Sequence, residues 1–324
     1  MSLKIAISSG KGGTGKTFVT TNIAKILDQT GYKVCYIDCD VEEPNGHLFL
    51  KPEIKKKEKI YIKSPVDIDC KKCISCGKCS KACNYNAITI VNQKTLLFQN
   101  LCHACGACMI VCPVNAVIEK KREIGEVFHG KSKDIEFNYA TLKTAEGGMS
   151  PRLIKELKKN VIDEINLLDS PPGTACTVVE TIKDVDLAVL VTDPTPFGLN
   201  DLKLSVDMCR KIGKEPVVLI NRTDNMHSKL KEYCQKELLE IIGEIPDKIE
   251  IAQCYSKGNL IVEELNGYKS VFQNIAQTIL RKAKKKRAVK YQPKESATNK
   301  ELFSQKLEIK GANKVQTKEL IIIS

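Results

Sequence analysis

The sequence predicts an α/β fold: a doubly wound, mainly parallel sheet interrupted by a small α+β module. Three observations predict it. Short apolar runs alternate with helix-like stretches along most of the 324 residues, the pattern of a parallel sheet covered on both faces. The first apolar run, Leu3 to Ile7, leads into the glycine-rich stretch GKGGTGKT and then a helix-like run from Phe18 to Leu27. Farther on, one four-cysteine spacing occurs twice within a short segment.

The glycine-rich stretch comprises Gly10, Lys11, Gly12, Gly13, Thr14, Gly15, Lys16 and Thr17. Strand, glycine-rich turn, then Lys-Thr at a helix start is the phosphate-binding loop. Glycines let successive N–H groups point at phosphate oxygens, and the helix N-terminus adds a favourable dipole. Lys16 then reaches the β- and γ-phosphates, and the Thr17 hydroxyl ligates Mg²⁺. The competing reading is a glycine-rich turn without a ligand.

Gly31 caps the first helix. A second strand, Val34 to Ile37, closes on Asp38-Cys39-Asp40-Val41-Glu42-Glu43-Pro44-Asn45. Carboxylates at a strand's end can orient water and metal for phosphoryl transfer, or simply end the strand. Residues 51–63 read as a charged crossing segment with no clear amphipathic period.

Cysteines follow as Cys73-x2-Cys76-x2-Cys79-x3-Cys83, repeated as Cys102-x2-Cys105-x2-Cys108-x3-Cys112-Pro113. Asn86-Ala87-Ile88 is echoed by Asn115-Ala116-Val117, so two similar halves related by a pseudo-twofold axis are expected. Soft thiolates suit iron–sulfur clusters, while CxxC is also a zinc spacing. Gly77 and Gly106 relieve crowding where backbone wraps a cluster.

The chain leaves this module through Gly125 to Gly130, with short strands expected around Ile135 to Phe137. Ser150-Pro151 predicts an N-cap and a helix to about Lys159. The apolar run Ile165 to Leu168 ends on Asp169-Ser170-Pro171-Pro172-Gly173-Thr174, a strand delivering a carboxylate to a ligand-binding edge. Leu187 to Val191 forms another strand, and Asn200 to Ile212 a helix with Leu202, Val206 and Cys209 on one face. Strand Val217 to Ile220 delivers Asn221, Asp247 follows Ile245-Pro246, and a last helix spans about Lys269 to Lys284.

Fifteen cysteines, eight of them in one spaced segment, point to metal rather than to a disulfide framework. No apolar run is long enough to span a membrane, and no leader is apparent, so a cytoplasmic protein is expected. The net charge of +12 concentrates partly in 51–59 and 281–290, read as a solvated linker and tail, with no nucleic-acid partner expected and membrane binding disfavoured. Ile275, Ile279 and Leu280 make too narrow an apolar face for a membrane anchor.

The stretch KGGTGKT, with Lys11 in front, resembles the deviant Walker A loop of the MinD/ParA/Mrp-type ATPases, relatives of the nitrogenase iron protein. That resemblance implies an ATP-sandwiching homodimer in which Lys11 reaches the partner's nucleotide. It also implies that Asp40 activates water, that Asp38 and Asp169 approach Mg²⁺, and that Gly173 senses the γ-phosphate. Asn221 and Asp247 would contact the base. The cysteine runs resemble the two-cluster bacterial ferredoxin, whose fourth cysteine ligates the other cluster. By that resemblance Cys73, Cys76, Cys79 and Cys112 hold one [4Fe–4S] cluster, and Cys102, Cys105, Cys108 and Cys83 the other.

The expected organisation is therefore an ATPase in two parts, 1–62 and 121–284, around an inserted ferredoxin-like module, 63–120, with a tail, 285–324. The function expected first is ATP-gated electron transfer to a redox partner. The alternative is a cluster or metallocofactor carrier serving an apo-metalloprotein. A MinD/ParA-like positioning protein ranks third. Mrp-type carriers use a late CxxC that this chain lacks.

Overall fold

The structure, a computed structural model, describes residues 2–143, 148–162, 164–223 and 228–290. The expected tail lies almost wholly outside them. Among the described residues there are eleven strands: β1 (Leu3–Ser8), β2 (Val34–Asp38), β3 (Glu53–Ile68), β4 (Ile88–Val91), β5 (Lys94–Leu97), β6 (Val117–Ser132), β7 (Ile135–Leu142), β8 (Ile165–Asp169), β9 (Leu187–Thr192), β10 (Val217–Thr223) and β11 (Ile241–Pro246). Nine form one sheet in the order β11-β10-β9-β1-β8-β2-β7-β6-β3. Strands from β11 to β7 pair in parallel, and β6 and β3 add an antiparallel edge.

Helices cover both faces. They are α1 (Lys16–Gln29), α2 (Gly46–Leu50), α3 (Lys78–Ala82), α4 (Ala107–Ile110), α5 (Ser150–Leu157), α6 (Cys176–Ile182), α7 (Pro196–Lys211), α8 (Ser228–Lys236), α9 (Ile249–Ser256), α10 (Ile261–Glu264) and α11 (Lys269–Lys290). Alternate residues of β1 divide between two cores, as a strand's two-residue period requires. Ile5 and Ile7 pack with Phe18 and Ile23 of α1 and with Phe272 of α11. Ala6 joins Leu153 of α5, Ile182 of α6 and the α7 face of Leu202, Val206 and Cys209. Ile275, Ile279 and Leu280 are buried in the first core, so the face weighed for membrane contact is spent on packing. No helix among the described residues is long and apolar enough to cross a membrane.

Two local expectations change. From Glu53 onward the segment read as a charged crossing, and likewise Gly125 to Gly130, is part of the long β3–β6 ribbon, registered from Glu53↔Lys131 to Ile68↔Val117. Register shifts near Ile54, Ile60 and Pro65 break the two-residue period, and a lysine-rich sequence suits an exposed edge strand. Ser150 does not cap α5, which shows no side-chain cap; its hydroxyl donates to Glu42 Oε1 at 2.7 Å.

At the ribbon's far end, Asp69 N–H donates to the Ala116 carbonyl at 2.8 Å, closing a segment that holds α3, α4 and the separate β4–β5 sheet. The sequence repeat is also a backbone repeat. Ser75, Gly77 and Asn86 adopt left-handed φ angles of 52°, 75° and 52°, and Ala104, Gly106 and Asn115 match them at 49°, 81° and 49°.

Candidate nucleotide site and cysteine pockets

The loop between β1 and α1 sits at the carboxyl end of the parallel sheet, where open α/β sheets bind ligands. Gly15 stands before α1 with φ 94°, and a Cβ there would collide with Asn221 Nδ2. Gly10 has no room for a Cβ either, because the Asp201 carbonyl of α7 lies against it. These contacts fix the loop's path. Gly12 and Gly13 have open space in front of them, and the buried Thr14 hydroxyl has no hydrogen-bond partner. An orphaned hydroxyl in a glycine-rich cradle fits a phosphate oxygen.

Lys16 is buried beneath the loop, and burial lowers its pKa against the opposing pull of Asp169, Asp40 and Asp38. Asp169 and Asp38 end neighbouring strands in direct register. Asp169 accepts from Tyr36 Oη at 2.7 Å and from Thr20 Oγ1 at 3.3 Å, and the Thr17 hydroxyl also bonds it. Asp38 accepts from the backbone N–H groups of Asp40, Asn45 and Gly46 at 3.1, 3.1 and 2.9 Å, folding residues 40–46 around itself. Burial, and for Asp38 also the charge of Asp169, raises both carboxyls above the usual range. Two buried carboxyls beside a hydroxyl form a donor set suited to a hard divalent cation such as Mg²⁺. Asp40 is partly buried, its pKa raised by burial, and accepts from Glu43 N–H at 3.3 Å.

Lys11 lies on the near side of the loop, where Nζ pairs with Asp193 Oδ2 at 2.9 Å. Gly173 has φ 92°, and its N–H donates to the Ser9 carbonyl at 3.0 Å, so contact with a phosphate requires that bond to open. Asn221 Nδ2 donates to the Thr14 carbonyl at 2.8 Å. Asp247 is exposed, its N–H bonded to the Thr223 carbonyl at 3.0 Å, which sets it at the end of the strand beside Asn221. The fold thus brings Lys11, Lys16, Thr17, Asp38, Asp40, Asp169, Gly173 and Asn221 to one edge. Sequence reasoning missed Tyr36 and Asp193. Asp193 had a usable signal, being a carboxylate directly after β9, the strand beside β1.

The eight spaced cysteines line two pockets. Cys73, Cys76 and Cys79 surround one together with Cys112, from the other repeat. Cys102, Cys105 and Cys108 surround the second together with Cys83. Thiol partners are already polar: Cys73 Sγ lies 3.3 Å from Thr95 Oγ1, and Ala116 N–H donates to Cys112 Sγ at 3.2 Å. Tyr85 and His103 stack over the second pocket at 3.7 Å between ring centroids. Among the described residues no three His, Cys, Asp or Glu side chains converge closely enough for a single metal ion. Each pocket brings three cysteines of one repeat together with the last cysteine of the other. Outside the repeat, Cys176 is exposed, whereas Cys209, Cys234 and Cys254 are buried.

Comparisons with known proteins agree with this edge of the sheet. The CobQ/CobB/MinD/ParA nucleotide-binding domain matches residues 5–261. An uncharacterised protein of Methanocaldococcus jannaschii is 33% identical over 223 residues, covering 68% of this chain and 78% of its own length. An iron–sulfur cluster carrier protein of the same organism is 23% identical over 274 residues, covering 79% of this chain and 76% of its own. The septum site-determining protein MinD of Pyrococcus horikoshii, solved with Mg-ADP, shares the fold with a TM-score of 0.54. It is 21% identical, with 88% of this chain and 99% of that one covered. With its phosphate loop, paired strand-end carboxyls and this match in hand, the chain belongs to the CobQ/CobB/MinD/ParA nucleotide-binding family.

Proposed function

We propose that this protein is an ATP-hydrolysing iron–sulfur protein that carries clusters to acceptor proteins in a nucleotide-dependent cycle. The pair of four-cysteine pockets on a chain that also has a complete phosphate loop supports an iron–sulfur protein that uses ATP. The name of the M. jannaschii relative, an iron–sulfur cluster carrier, supports the carrier reading over electron transfer.

In this reading residues 63–120 form an inserted ferredoxin-like module that holds two [4Fe–4S] clusters. Three cysteines of each repeat and the last cysteine of the other supply the four thiolates. ATP lies in the loop 10–17, with Lys16 on its β- and γ-phosphates and Asn221 and Asp247 near the base. Mg²⁺, held by Thr17, Asp38 and Asp169, would supply charge neutralisation on the phosphates. Asp40 orients the attacking water. Lys11 leaves Asp193 to reach the nucleotide of a second copy, so hydrolysis controls association of a homodimer.

A second reading, ATP-gated electron transfer to a redox partner, is favoured by one observation: each pocket already has four cysteines, which suits a retained cluster. Anaerobic iron counting and electron paramagnetic resonance, with and without Mg·ATP and an apo-acceptor, separate the two. Iron that moves to the acceptor only during hydrolysis supports the carrier. Constant iron with reduced-cluster signals altered by ATP supports electron transfer and refutes the carrier. Zinc in place of iron refutes both.

A further inference from the structure

The two cysteine pockets repeat a pattern but not a setting. The pocket of Cys83, Cys102, Cys105 and Cys108 is tied to the nucleotide half. Arg152 of α5 donates from Nε to the His103 carbonyl at 3.1 Å and from Nη2 to the Ala104 carbonyl at 2.7 Å. A Cβ on Gly148 would stand 2.6 Å from His103 Nε2, and Ala104 packs against the second core. Residues 99–118, which supply three of its cysteines, contain no Lys, Arg, Asp or Glu.

The pocket of Cys73, Cys76, Cys79 and Cys112 has the opposite surroundings. Lys71, Lys72, Lys78, Lys81 and Lys94 are all exposed, and Asp69 is the lone acid in residues 69–98. Only Lys72 reaches that acid, at 3.8 Å, and among the described residues the other four lysines have no ion pair. These lysines sit on segments that pack around the same pocket. Ser75 Oγ donates to the Gln93 carbonyl at 2.5 Å and Cys73 meets Thr95, which seats the 73–78 loop on the β4–β5 hairpin carrying Lys94. Lys78 and Lys81 lie one turn apart on α3. Exposed apolar side chains occur in the same segments: Ile74, which lines this pocket, is 62% exposed, and Ile110, two residues before Cys112, is 85% exposed.

We propose that this face is the docking surface for an acidic protein, approached through the pocket of Cys73, Cys76, Cys79 and Cys112. What passes across it rests on the iron–sulfur reading of the pockets. Exposed apolar residues inside a charged rim have the layout of a protein interface, and single-sign charge steers a partner of opposite sign. A nucleic acid is the less suited polyanion, because residues 69–98 include no arginine. The two pockets consequently face different ways in function. One is anchored to the part that binds nucleotide, and the other is presented to the partner.

The test uses the full chain, purified anaerobically, and an acidic apo-ferredoxin as the probe. Affinity is measured by calorimetry across a salt series. The variants are Lys71→Glu, Lys78→Glu, Lys81→Glu and Lys94→Glu together, and the same four changed to Gln. Wild-type affinity should fall as salt rises. The Gln set should weaken binding about tenfold and the Glu set more, with the salt dependence flattened or inverted. Equal affinity in wild type and both variants overturns the proposal, as does tighter wild-type binding to a DNA duplex or anionic vesicles than to the ferredoxin. Iron content is counted on the same samples. Iron-free protein that still binds in a lysine-dependent way refutes the cluster reading and keeps the docking face. Iron-loaded protein whose binding ignores the lysines refutes the docking face and keeps the clusters.

Discussion

Lys11 and Asp193 form an ion pair of 2.9 Å across the mouth of the phosphate loop, with the lysine side chain 32% exposed and the carboxylate only 7%. The lysine that marks this loop is therefore held inside its own subunit. Asp193 is fixed independently, since its Oδ1 also accepts from the Thr195 hydroxyl and N–H. Burial pushes the Asp193 carboxyl up, but these hydrogen bonds and Lys11 outweigh it and hold the carboxyl below its ordinary value.

That balance predicts an acid-side stability loss. A depressed folded-state pKa contributes stability above the unfolded value near 4, and the contribution disappears as pH falls through the folded value. Asp193→Asn should lower stability at pH 7 by about 1 kcal/mol and flatten the acid limb of a denaturation series. An unchanged acid limb would contradict the pairing. Lys11→Ala, by contrast, should bind nucleotide near normally yet lose turnover, and the residual rate should no longer depend on protein concentration.

If the proposed ATP site holds, Lys16→Ala should reduce ATP hydrolysis by about two to three orders of magnitude, because it removes the buried lysine beneath the phosphate loop. A phosphate-release assay at saturating ATP reads this directly. Normal turnover would remove the phosphate-loop assignment.

Mg²⁺ binding should be linked to proton release. Burial raises the Asp38 and Asp169 carboxyls above the usual carboxylate range, so the pair takes up protons at higher pH than free carboxylates do. A cation must displace any such proton, and Mg·ATP affinity should therefore fall as pH is lowered. Calorimetry in buffers of different ionisation enthalpy should detect protons released on binding, and Asp169→Asn should reduce that release. Tyr36→Phe should also weaken Mg²⁺ binding, since it leaves Asp169 without its 2.7 Å donor.

Gly15 and Asn221 should behave as a pair whose defects do not cancel. Asn221→Ala strips the Thr14 carbonyl of its donor and should cost about 1–3 kcal/mol of stability. Gly15→Ala collides with Asn221 and also forces an alanine to φ 94°. Combining the two changes removes the collision but not the backbone strain. The double variant should remain unable to bind ATP, measured by equilibrium dialysis.

The proposed crossed ligation gives a spectroscopic prediction. Cys112→Ala should leave the same residual resonance spectrum as Cys73→Ala, although the two residues belong to different repeats. Cys83→Ala should match Cys102→Ala, and each variant should lose about half of the iron if each pocket holds one cluster. Pairing by repeat instead, with Cys112→Ala matching Cys102→Ala, would refute the ligand sets.

Much of this architecture is legible along the chain. The β1 strand, the loop 10–17 and α1 announce themselves because their signals are local: glycine, lysine and threonine at a strand-to-helix turn. Asp169 is legible for the same reason, at the end of an apolar run. The cysteines are legible through their spacing. What escapes is set by contacts between distant segments. Tyr36 looks like an ordinary strand residue until Asp169 is placed beside it by the β2–β8 register. Ser150 has the sequence of a helix cap, yet its hydroxyl is taken by Glu42. Arg152 looks like a solvated helix residue until the second cysteine pocket is laid against α5. The β3 strand hides because its lysines face water and its bulges erase the alternation.

The rung that joins Asp69 to Ala116 makes the cysteine segment detachable in principle. Its two ends leave the ribbon as paired neighbours, at Ile68↔Val117, so everything between them is an excursion from the tip of one hairpin. Replacing that excursion with a two-residue Asn-Gly turn shortens a closed loop, and shorter loops cost less entropy to close. The nucleotide half then keeps the β3–β6 edge but loses the anchoring contacts of Arg152 with the His103 and Ala104 carbonyls. The same junction works in reverse, as a socket into which another metal-binding unit with closely spaced ends could be grafted.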